Sequence, residues 1–336
     1  MTIKSFRQSI NEAIRLEMRK DENVVLMGED VAGGAGSNGE QDAWGGPLGV
    51  TKGLLGEFGR ERIIDTPITE TALLGMASGA ALTGLRPVAE LMFIDFMGVC
   101  FDQILNQTAK FRYMFGGKAV TPITIRSMFG GGTRAASQHS QCLYPIFTHV
   151  PGLKVVVPSC PYDAKGLLIQ SIRDNDPVIF LEHKNMYDIT QDVPDESFTI
   201  PFGEANFTRE GKDITFIGMG ATVSLCNKVA DKLKKDNITS TVLDLRTLSP
   251  LDEDSILEAA EETGRIVIVD ESSPRCNIAT DISALICEKS FSYLKGPIKM
   301  VSPPHTPVPF SPKLEDLYLP SENDVIKAAK ELLDGK

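Results

Sequence analysis

Short apolar segments alternate with amphipathic or polar segments along almost the whole chain. Directly after Ser5, residues 6–19 repeat apolar side chains at helical spacing, which predicts an amphipathic helix. Short apolar runs predict strands, and strands that alternate with helices indicate parallel sheets covered on both faces. The predicted strands cover residues 24–27, 62–65, 87–93, 123–128, 153–159, 177–183, 214–220, 241–248, 265–272 and 298–303, and the other predicted helices cover residues 71–84, 94–113, 161–173, 221–235, 252–263, 277–290 and 322–334.

The alternation is interrupted once, over residues 188–212, which are polar and contain two prolines. We therefore expect a domain boundary near residues 190–205. The predicted fold class is α/β, with two domains at residues 1–195 and 205–336, each a mostly parallel sheet flanked by helices. In the first domain, the glycine-rich segment 31–49 predicts a long loop, and a loop of that length in a compact domain is usually functional.

Composition narrows the class of protein. The 336 residues include 45 acidic and 34 basic side chains, a formal net charge of −11, which disfavours non-specific binding to nucleic acid. No run of about 18 apolar residues is present, so no membrane span is predicted. The six cysteines form no CxxC pair and there are four histidines, which disfavours a disulfide framework and a multi-histidine metal site. We expect a cytoplasmic protein that binds neither nucleic acid nor membrane.

Polar residues follow three of the predicted strands in the first domain. Glu29 follows the first strand, residues 65–70 follow the second and end in Glu70, and a glycine-rich run after a later strand leads to His139. The carboxyl ends of parallel strands meet at one edge of an open sheet, where ligands bind. The sequence therefore predicts carboxylates and one histidine at a common site, which suffices for acid–base chemistry but names no reaction.

Each of these residues also has a plainer interpretation. A carboxylate such as Glu70 in the first turn of a helix is favoured by the helix dipole alone. His139 could be a solvated loop residue, and Phe96 could belong to the core. Residues 218–222, with the sequence GMGAT, follow a strand but lack the GxGxxG spacing of a dinucleotide loop. This spacing disfavours a nicotinamide-binding oxidoreductase.

Four separate motifs stand out along the chain. They are RIIDTPITETALLGMASGAALTGLRPVAELMFIDF at residues 62–96, AASQHSQ at 135–141, VLDLRTLSPLD at 242–252 and IVIVDES at 266–272. These motifs resemble the beta subunit of the thiamin-diphosphate-dependent first component of 2-oxo-acid dehydrogenases, and the resemblance covers nearly the whole chain. It implies a transketolase-like pyrimidine-binding domain at residues 1–195 and a transketolase C-terminal-like domain at residues 205–336.

Within this family, residues 39–54, 271–286 and 302–321 are most similar to the acetoin dehydrogenase branch. The loop at residues 33–47 is also longer than the pyruvate branch usually has. The branch implies cleavage of acetoin to acetaldehyde, with the acetyl unit passed to lipoamide. The alternative within the family is a pyruvate or branched-chain 2-oxo-acid dehydrogenase, in which the first bond broken releases carbon dioxide.

The resemblance also assigns roles to the candidate residues. It implies that Glu70 holds the aminopyrimidine ring of thiamin diphosphate and stabilises its imino tautomer. Phe96 would pack against the pyrimidine, and Ile68 would contact it from beside Glu70. His139 would transfer protons at the substrate oxygens or dock the lipoyl group. Glu29 would lie near the cofactor and relay protons.

A structural potassium ion is a further expectation from the resemblance. It would lie near Ile123, Ser171, Asp174 and Asp176 and be held largely by backbone oxygens, which are ligands that suit a hard cation. The plainer alternative is that residues 174–177 form only a turn.

The resemblance implies partners as well. The diphosphate–magnesium motif of the family, GDG followed by an asparagine, is missing here and belongs to an alpha subunit. We therefore expect an alpha-two beta-two heterotetramer in which alpha holds magnesium and shares the cofactor, and which docks a lipoyl acyltransferase. A catalytically silent scaffold for the acyltransferase is the alternative from another class, although a scaffold needs neither Glu70 nor His139.

Overall fold

The structure of the protein is a computed structural model that describes residues 1–33, 45–46 and 48–335. Most of the long loop predicted at residues 33–47 lies outside the described residues. The strands are β1 Thr2–Ser5, β2 Val24–Glu29, β3 Ile63–Thr66, β4 Arg86–Phe93, β5 Thr124–Phe129, β6 Lys154–Val156, β7 Val178–His183, β8 Thr190–Val193, β9 Asn206–Arg209, β10 Ile214–Gly218, β11 Ser240–Asp244, β12 Thr247–Ser249, β13 Ile266–Val269 and β14 Lys299–Val301. The α-helices are α1 Phe6–Lys20, α2 Leu54–Phe58, α3 Glu70–Leu82, α4 Met97–Asp102, α5 Phe111–Met114, α6 Tyr144–Thr148, α7 Pro161–Arg173, α8 Ala221–Lys234, α9 Glu253–Thr263, α10 Ile278–Lys289, α11 Pro312–Tyr318 and α12 Glu322–Leu333.

The first helix forms as its sequence pattern predicts. The Ser5 side chain accepts a hydrogen bond from the backbone N–H of Gln8 (3.2 Å), and the Gln8 side chain accepts one from the Ser5 N–H (2.8 Å). This reciprocal cap satisfies two backbone donors at the start of α1. Phe6, Ile10 and Ile14 are fully buried, and α1 packs against α7 over one face of the first sheet.

The first sheet has seven strands in the order β12-β6-β7-β5-β4-β2-β3. All of them are parallel except β12, which runs antiparallel to β6. The strand β12 comes from the second half of the chain, so the two halves share one sheet. Because β5, β4, β2 and β3 are neighbours, their carboxyl ends lie side by side at one edge.

The second sheet has five strands in the order β14-β13-β10-β11-β9, parallel except for β9. Two mostly parallel sheets with flanking helices confirm the predicted α/β class. The single strand predicted over residues 241–248 is wrong. The chain turns at Arg246, which has a φ of 56°, and Arg246 bonds Asp163 of α7 at 2.8 Å. This ion pair accompanies the passage of the chain from β11 in the second sheet to β12 in the first.

Two other local predictions differ from the structure. The continuous helix predicted over residues 94–113 is broken into a 3-10 turn at Ile94–Phe96, α4, a π-helical segment at Gln103–Thr108, and α5. Cys100 leaves the helical conformation (φ −117°, ψ 17°). The polar segment at 188–212 also contains β8 and β9, which are short and partly exposed and therefore show no apolar pattern. No helix within the described residues is long and apolar enough to cross a membrane.

Candidate active site

The predicted site residues gather where β5, β4, β2 and β3 end. Glu29 is the last residue of β2 and pairs in register with Thr66, the last residue of β3. Glu70 opens α3 just beyond β3, and Phe93 ends β4. His139 lies in the loop after β5. The structure therefore brings carboxylates, aromatic rings and one imidazole to a single edge of the sheet.

The acidic residues of this edge influence each other. Burial raises the pKa of Glu29, and the negative charges of Asp30, Glu70 and Glu90 raise it further. The charge of Glu70 is therefore close enough to Glu29 to raise its pKa. A carboxyl group whose pKa is raised holds its proton closer to neutral pH, which suits a group that donates or accepts protons.

The segment between β3 and α3 presents two of the predicted residues. Ile68 is 73% exposed, and Glu70 is half-buried. Thr69 precedes the helix and makes no side-chain cap, so the first helical N–H groups keep their positive character beside Glu70. The Thr71 hydroxyl donates to the carbonyl oxygen of Val99 (2.7 Å), which fixes the start of α3 against α4.

Three half-buried rings pack against one another at the ends of β4 and β5. The His139 imidazole meets Phe93 edge-on, with 4.8 Å between ring centroids, and meets Phe96 edge-on at 5.3 Å. The two phenylalanine rings are 5.5 Å apart. Edge-to-face packing of this kind holds a ring in a defined orientation. His139 is therefore not a freely solvated loop residue, and Phe96 is not a fully buried core residue.

Two residues that sequence reasoning missed secure the His139 loop. The ammonium group of Lys184 donates to the carbonyl oxygen of His139 and lies 5.5 Å from the centre of the Phe93 ring. Burial lowers the pKa of Lys184. Asp95 Oδ1 accepts hydrogen bonds from the backbone N–H (3.2 Å) and the side-chain amide (2.8 Å) of Gln141. Lys184 directly follows β7. A search for polar residues at the carboxyl ends of the parallel strands would therefore have found it, had it included β7.

A buried charge network lies behind the site. Arg126 on β5 makes two parallel hydrogen bonds to Glu182 on β7 (2.6 and 2.8 Å) and one to Glu90 on β4 (2.7 Å). The Tyr187 hydroxyl donates to Glu182 (2.8 Å). Burial raises the pKa of Glu90, and Arg126 offsets this only in part. Because Glu90 also raises the pKa of Glu29, the network connects the core of the sheet to the site.

The residues expected to hold potassium lie close together, around the end of α7. Ser171 is in the last turn of α7, Asp174 follows it, and Asp176 precedes β7. Ile123 lies just before β5, and its carbonyl oxygen accepts a hydrogen bond from the Val178 N–H at 3.0 Å.

The carboxylates of this group already have partners. Lys154 pairs with Asp174 at 2.6 Å, and Arg112 pairs with Asp176. Arg86 donates to the carbonyl oxygen of Asp174 at 3.0 Å. Within the described residues, no three His, Cys, Asp or Glu side chains are grouped so that they could hold a metal ion. A cation near α7 would therefore have to rely on backbone oxygens.

The GMGAT turn between β10 and α8 is packed against the first domain. A β-carbon placed on Gly220 would lie 3.2 Å from Val157 and 3.3 Å from Phe129. The Thr222 hydroxyl accepts a hydrogen bond from the Met219 N–H at 2.9 Å. The turn is thus closed by its own residues and by the other domain, and leaves little space for a dinucleotide phosphate.

Two family models match the chain. Residues 4–190 match the transketolase pyrimidine-binding domain, and residues 203–325 match the transketolase C-terminal domain. Among solved structures, a chain described as a split-gene transketolase, an inactive beta4 tetramer, superposes with a TM-score of 0.78 at 20% identity and covers 99% of both chains. At this identity the similarity concerns the fold alone.

The chain is also similar to three bacterial beta subunits over nearly its full length. It is 61% identical to the acetoin:2,6-dichlorophenolindophenol oxidoreductase subunit beta of Cupriavidus necator, over 98% of each chain. It is 58% identical to the subunit of the same name from Bacillus subtilis, over 98% of this chain and 97% of the relative. Its identity to the pyruvate dehydrogenase E1 component subunit beta of Bacillus subtilis is 44%, over 97% and 98%.

Proposed function

Because this chain belongs to the beta-subunit family of the acetoin:2,6-dichlorophenolindophenol oxidoreductases, we propose that it forms an acetoin-cleaving active site together with an alpha subunit. The proposed reaction releases acetaldehyde and passes the acetyl unit to lipoamide on an acyltransferase. The observation that supports acetoin over pyruvate is the higher identity to the acetoin relatives than to the pyruvate dehydrogenase beta subunits.

Thiamin diphosphate is the cofactor that a pyrimidine-binding domain implies, and when bound it supplies the carbanion that attacks the acetoin carbonyl. Glu70, Ile68 and Phe96 are the residues proposed to hold its pyrimidine ring. The chemistry of the site fits such a ring, which presents polar edges and apolar faces. Among the described residues, the buried Oδ2 of Asp95 beside Phe96 has no hydrogen-bond partner. A buried acceptor of this kind favours a ligand that brings a donor.

Each of the proposed catalytic residues has a separate role in this proposal. Glu70 hydrogen-bonds a ring nitrogen of the pyrimidine and so controls which nitrogen carries a proton. Glu29, with its raised pKa and its position beside Glu70, exchanges that proton with the surroundings. His139 moves a proton at the substrate oxygens, and its packing against Phe93 and Phe96 keeps the imidazole in one orientation.

The exposed face of α3 supports the proposal of an alpha partner. Gly75 and Gly79 are exposed on this helix, together with Met76 (43%) and Leu82 (38%), and Val99 on the neighbouring α4 is 62% exposed. A helix that is apolar on all sides is normally covered on all sides. We propose that the alpha subunit covers this face in an alpha-two beta-two assembly and supplies the magnesium and diphosphate half of the cofactor site.

A structural potassium ion near the end of α7 is part of the proposal. Its ligands would be backbone oxygens of Ile123, Ser171, Asp174 and Asp176, because the two carboxylates are paired with Lys154 and Arg112. The ion would join the end of α7 to the start of β5 and β7, which are adjacent strands. Its contribution would be to the stability of the fold and not to the chemistry.

The experiment that tests the function is co-expression with the alpha subunit, followed by assay of thiamin-diphosphate-dependent reduction of 2,6-dichlorophenolindophenol. Acetoin and pyruvate are supplied in parallel, and released acetaldehyde and carbon dioxide are measured. We expect faster turnover of acetoin, with acetaldehyde as product. Faster turnover of pyruvate, with carbon dioxide released, would overturn the substrate. The absence of turnover with either, in an assembled complex, would contradict the enzymatic role.

A further inference from the structure

The loop that carries His139 is attached to the second domain by two buried carboxylates. Glu271, just after β13, accepts a hydrogen bond from the Gly131 N–H at 2.7 Å. Glu315, on α11, accepts hydrogen bonds from the Gly132 N–H at 2.7 Å and from the Arg134 N–H at 3.1 Å. Three backbone N–H groups of the loop, those of Gly131, Gly132 and Arg134, thus donate to acceptors that belong to the other domain.

The carboxylate of Glu315 is the central contact of this attachment. Its side chain is fully buried, and its two oxygens serve different amides of the loop. Oε2 also accepts from the guanidinium of Arg134 at 2.7 Å, so the buried charge is paired. Hydrogen bonds to an ionised acceptor are stronger than those between neutral groups. A carboxylate therefore suits this position, because both of its oxygens accept.

The loop adopts a conformation that needs such support. Arg134 and Ala136 have φ angles of 60° and 61°, in a region that residues with a side chain seldom occupy. Side chains on Gly130 and Gly132 would overlap His183 and Asn185, so the loop backbone lies directly against the end of β7. A loop with this geometry remains in place only while the surrounding structure holds it.

His139 lies a few residues further along the same loop. Beyond it, the loop is held by Lys184 at the carbonyl oxygen of His139 and by Asp95 at Gln141. The carboxylate of Glu315 and these two contacts therefore fix the loop on either side of the imidazole. Loss of either attachment would leave the ring free to move away from Phe93 and Phe96.

We propose that Glu315 is a positioning residue for His139, acting from the second domain through the backbone of Gly132 and Arg134. The second domain thereby takes part in the active site through the backbone of this loop. The inference rests on the proposed function in one respect, namely that His139 handles a proton of the substrate. The dependence of the His139 orientation on Glu315 can be tested without measuring turnover.

The test compares Glu315→Gln with Asp316→Asn. Glutamine has nearly the same shape but only one acceptor oxygen, so it can serve one of the two loop amides. Asp316 lies next to Glu315 on α11 and pairs with the same Arg134 at 2.6 Å, yet within the described residues it accepts no hydrogen bond from the loop backbone. Asp316→Asn therefore removes the charge of one ion pair of Arg134 while leaving the attachment of the loop intact.

The first measurement is the rate at which diethylpyrocarbonate modifies each histidine of the full-length chain, followed by peptide mass spectrometry. We expect Glu315→Gln to raise the rate at His139 by about fivefold relative to the exposed His149 and His305, and Asp316→Asn to leave it unchanged. The free energy of unfolding of each variant serves as the control for general loosening, because His183 itself packs against Gly130 of this loop. An unchanged His139 in Glu315→Gln, or a rise at His139 that only matches the rate of global unfolding, would overturn the proposal.

The second measurement is acetoin turnover by the complex with the alpha subunit. We expect Glu315→Gln to lower kcat about tenfold while KM for acetoin changes less than about twofold. The reason is that the variant displaces the imidazole of His139 but leaves the binding cleft unaltered. An unchanged kcat together with a faster modification of His139 would show that the orientation of His139 does not limit turnover, and would overturn the functional part. If the wild-type complex lacks turnover with acetoin, the proposed function fails, whereas the modification rates still decide the positioning of His139.

Discussion

The imidazole of His139 and the ring of Phe96 meet at an interplanar angle of 84°, with 5.3 Å between their centroids. This contact joins a proposed proton-transfer group to a proposed cofactor-binding group. A ligand that packs against Phe96 therefore also settles the position of His139. Cofactor binding and the orientation of the His139 imidazole should therefore be coupled, since Phe96 packs against the imidazole and is also proposed to contact the cofactor.

Replacement of Phe96 by Ala should weaken binding of thiamin diphosphate by up to about tenfold, because an aromatic contact is worth roughly 0.5–1.5 kcal/mol. The measurement is the dependence of acetoin turnover on the concentration of thiamin diphosphate in the complex. Phe115→Ala is the matched control, since Phe115 is 51% exposed and its ring stacks on Phe111. Equal cofactor dependence in both variants would count against a cofactor contact by Phe96.

Replacement of Glu70 by Gln should lower turnover by at least about 100-fold while the complex still assembles, because a carboxyl that controls a proton is lost. The plainer role of Glu70, a favourable charge at the start of α3, would contribute only about 0.3–1 kcal/mol of stability. Glu253→Gln, at the first position of α9, measures the loss of a first-turn charge together with its exposed ion pair to Lys289. If Glu70→Gln changes only the melting temperature, and by no more than Glu253→Gln does, the catalytic role is wrong.

Much of the candidate site could be predicted from sequence. The carboxyl ends of neighbouring parallel strands lie at one edge of the sheet, so residues that follow these strands, such as Glu29, Glu70 and His139, come to the same side. The contacts that hold His139 could not be found in this way. Glu315 is 183 residues from the amide of Gly132 that it binds, and it lies on α11, a short helix that the proline-rich sequence conceals. Long-range contacts between domains leave no periodic pattern in a sequence.

The same limit applies to the fold. Residues 241–248 carry enough apolar and β-branched side chains to predict one strand. Their division between two sheets is accompanied by a positive φ at Arg246 and by the ion pair of Arg246 with Asp163 in the other domain. The cap at Ser5 was predictable, since it depends on residues three apart. Interactions between residues close in sequence could therefore be predicted, whereas the addition of β12 from the second half of the chain to the first sheet could not.

Replacement of Arg126 by Met should lower the free energy of unfolding by about 3–5 kcal/mol, because Glu90 and Glu182 would be left buried without a counter-charge. Chemical denaturation of the full chain measures this. Arg209→Met removes a surface pair with Asp231 and should cost at most about 1 kcal/mol. Similar losses in the two variants would show that the buried network contributes no more than an exposed ion pair.

The proposed potassium site predicts that the melting temperature of the chain rises with potassium chloride and not with sodium or choline chloride at the same ionic strength. An ion that binds only the folded state stabilises it by about 2.7 kcal/mol when its concentration is 100 times its Kd. Asp176→Asn should keep this dependence, because the carboxylate of Asp176 is paired with Arg112 and only backbone oxygens would face the ion. Identical melting curves in the three salts would exclude the site.

A pH dependence of stability should arise from Asp244, which is fully buried at the end of β11. Burial raises the pKa of Asp244 to about 7, and the negative charge of Asp163 contributes to the shift. Since the folded pKa lies above the unfolded value of 3.8, Asp244 stabilises the fold at low pH and loses this contribution as pH rises towards about 7.

Asp244→Asn resembles the protonated side chain at every pH. Its free energy of unfolding should therefore gain on that of the wild type by up to about 1.4 kcal/mol per pH unit between about pH 4 and 7, and stay level above that range. Asp231→Asn is the control. The hydrogen bond from Arg209 lowers the pKa of Asp231, so the charged side chain stabilises the fold at neutral pH and this stabilisation is lost only in acid. Denaturation curves at about pH 5 and pH 8 decide the matter. A constant difference between Asp244→Asn and the wild type would mean that Asp244 is already charged throughout this range, and that Ser159 and Arg246 hold its charge against the cost of burial.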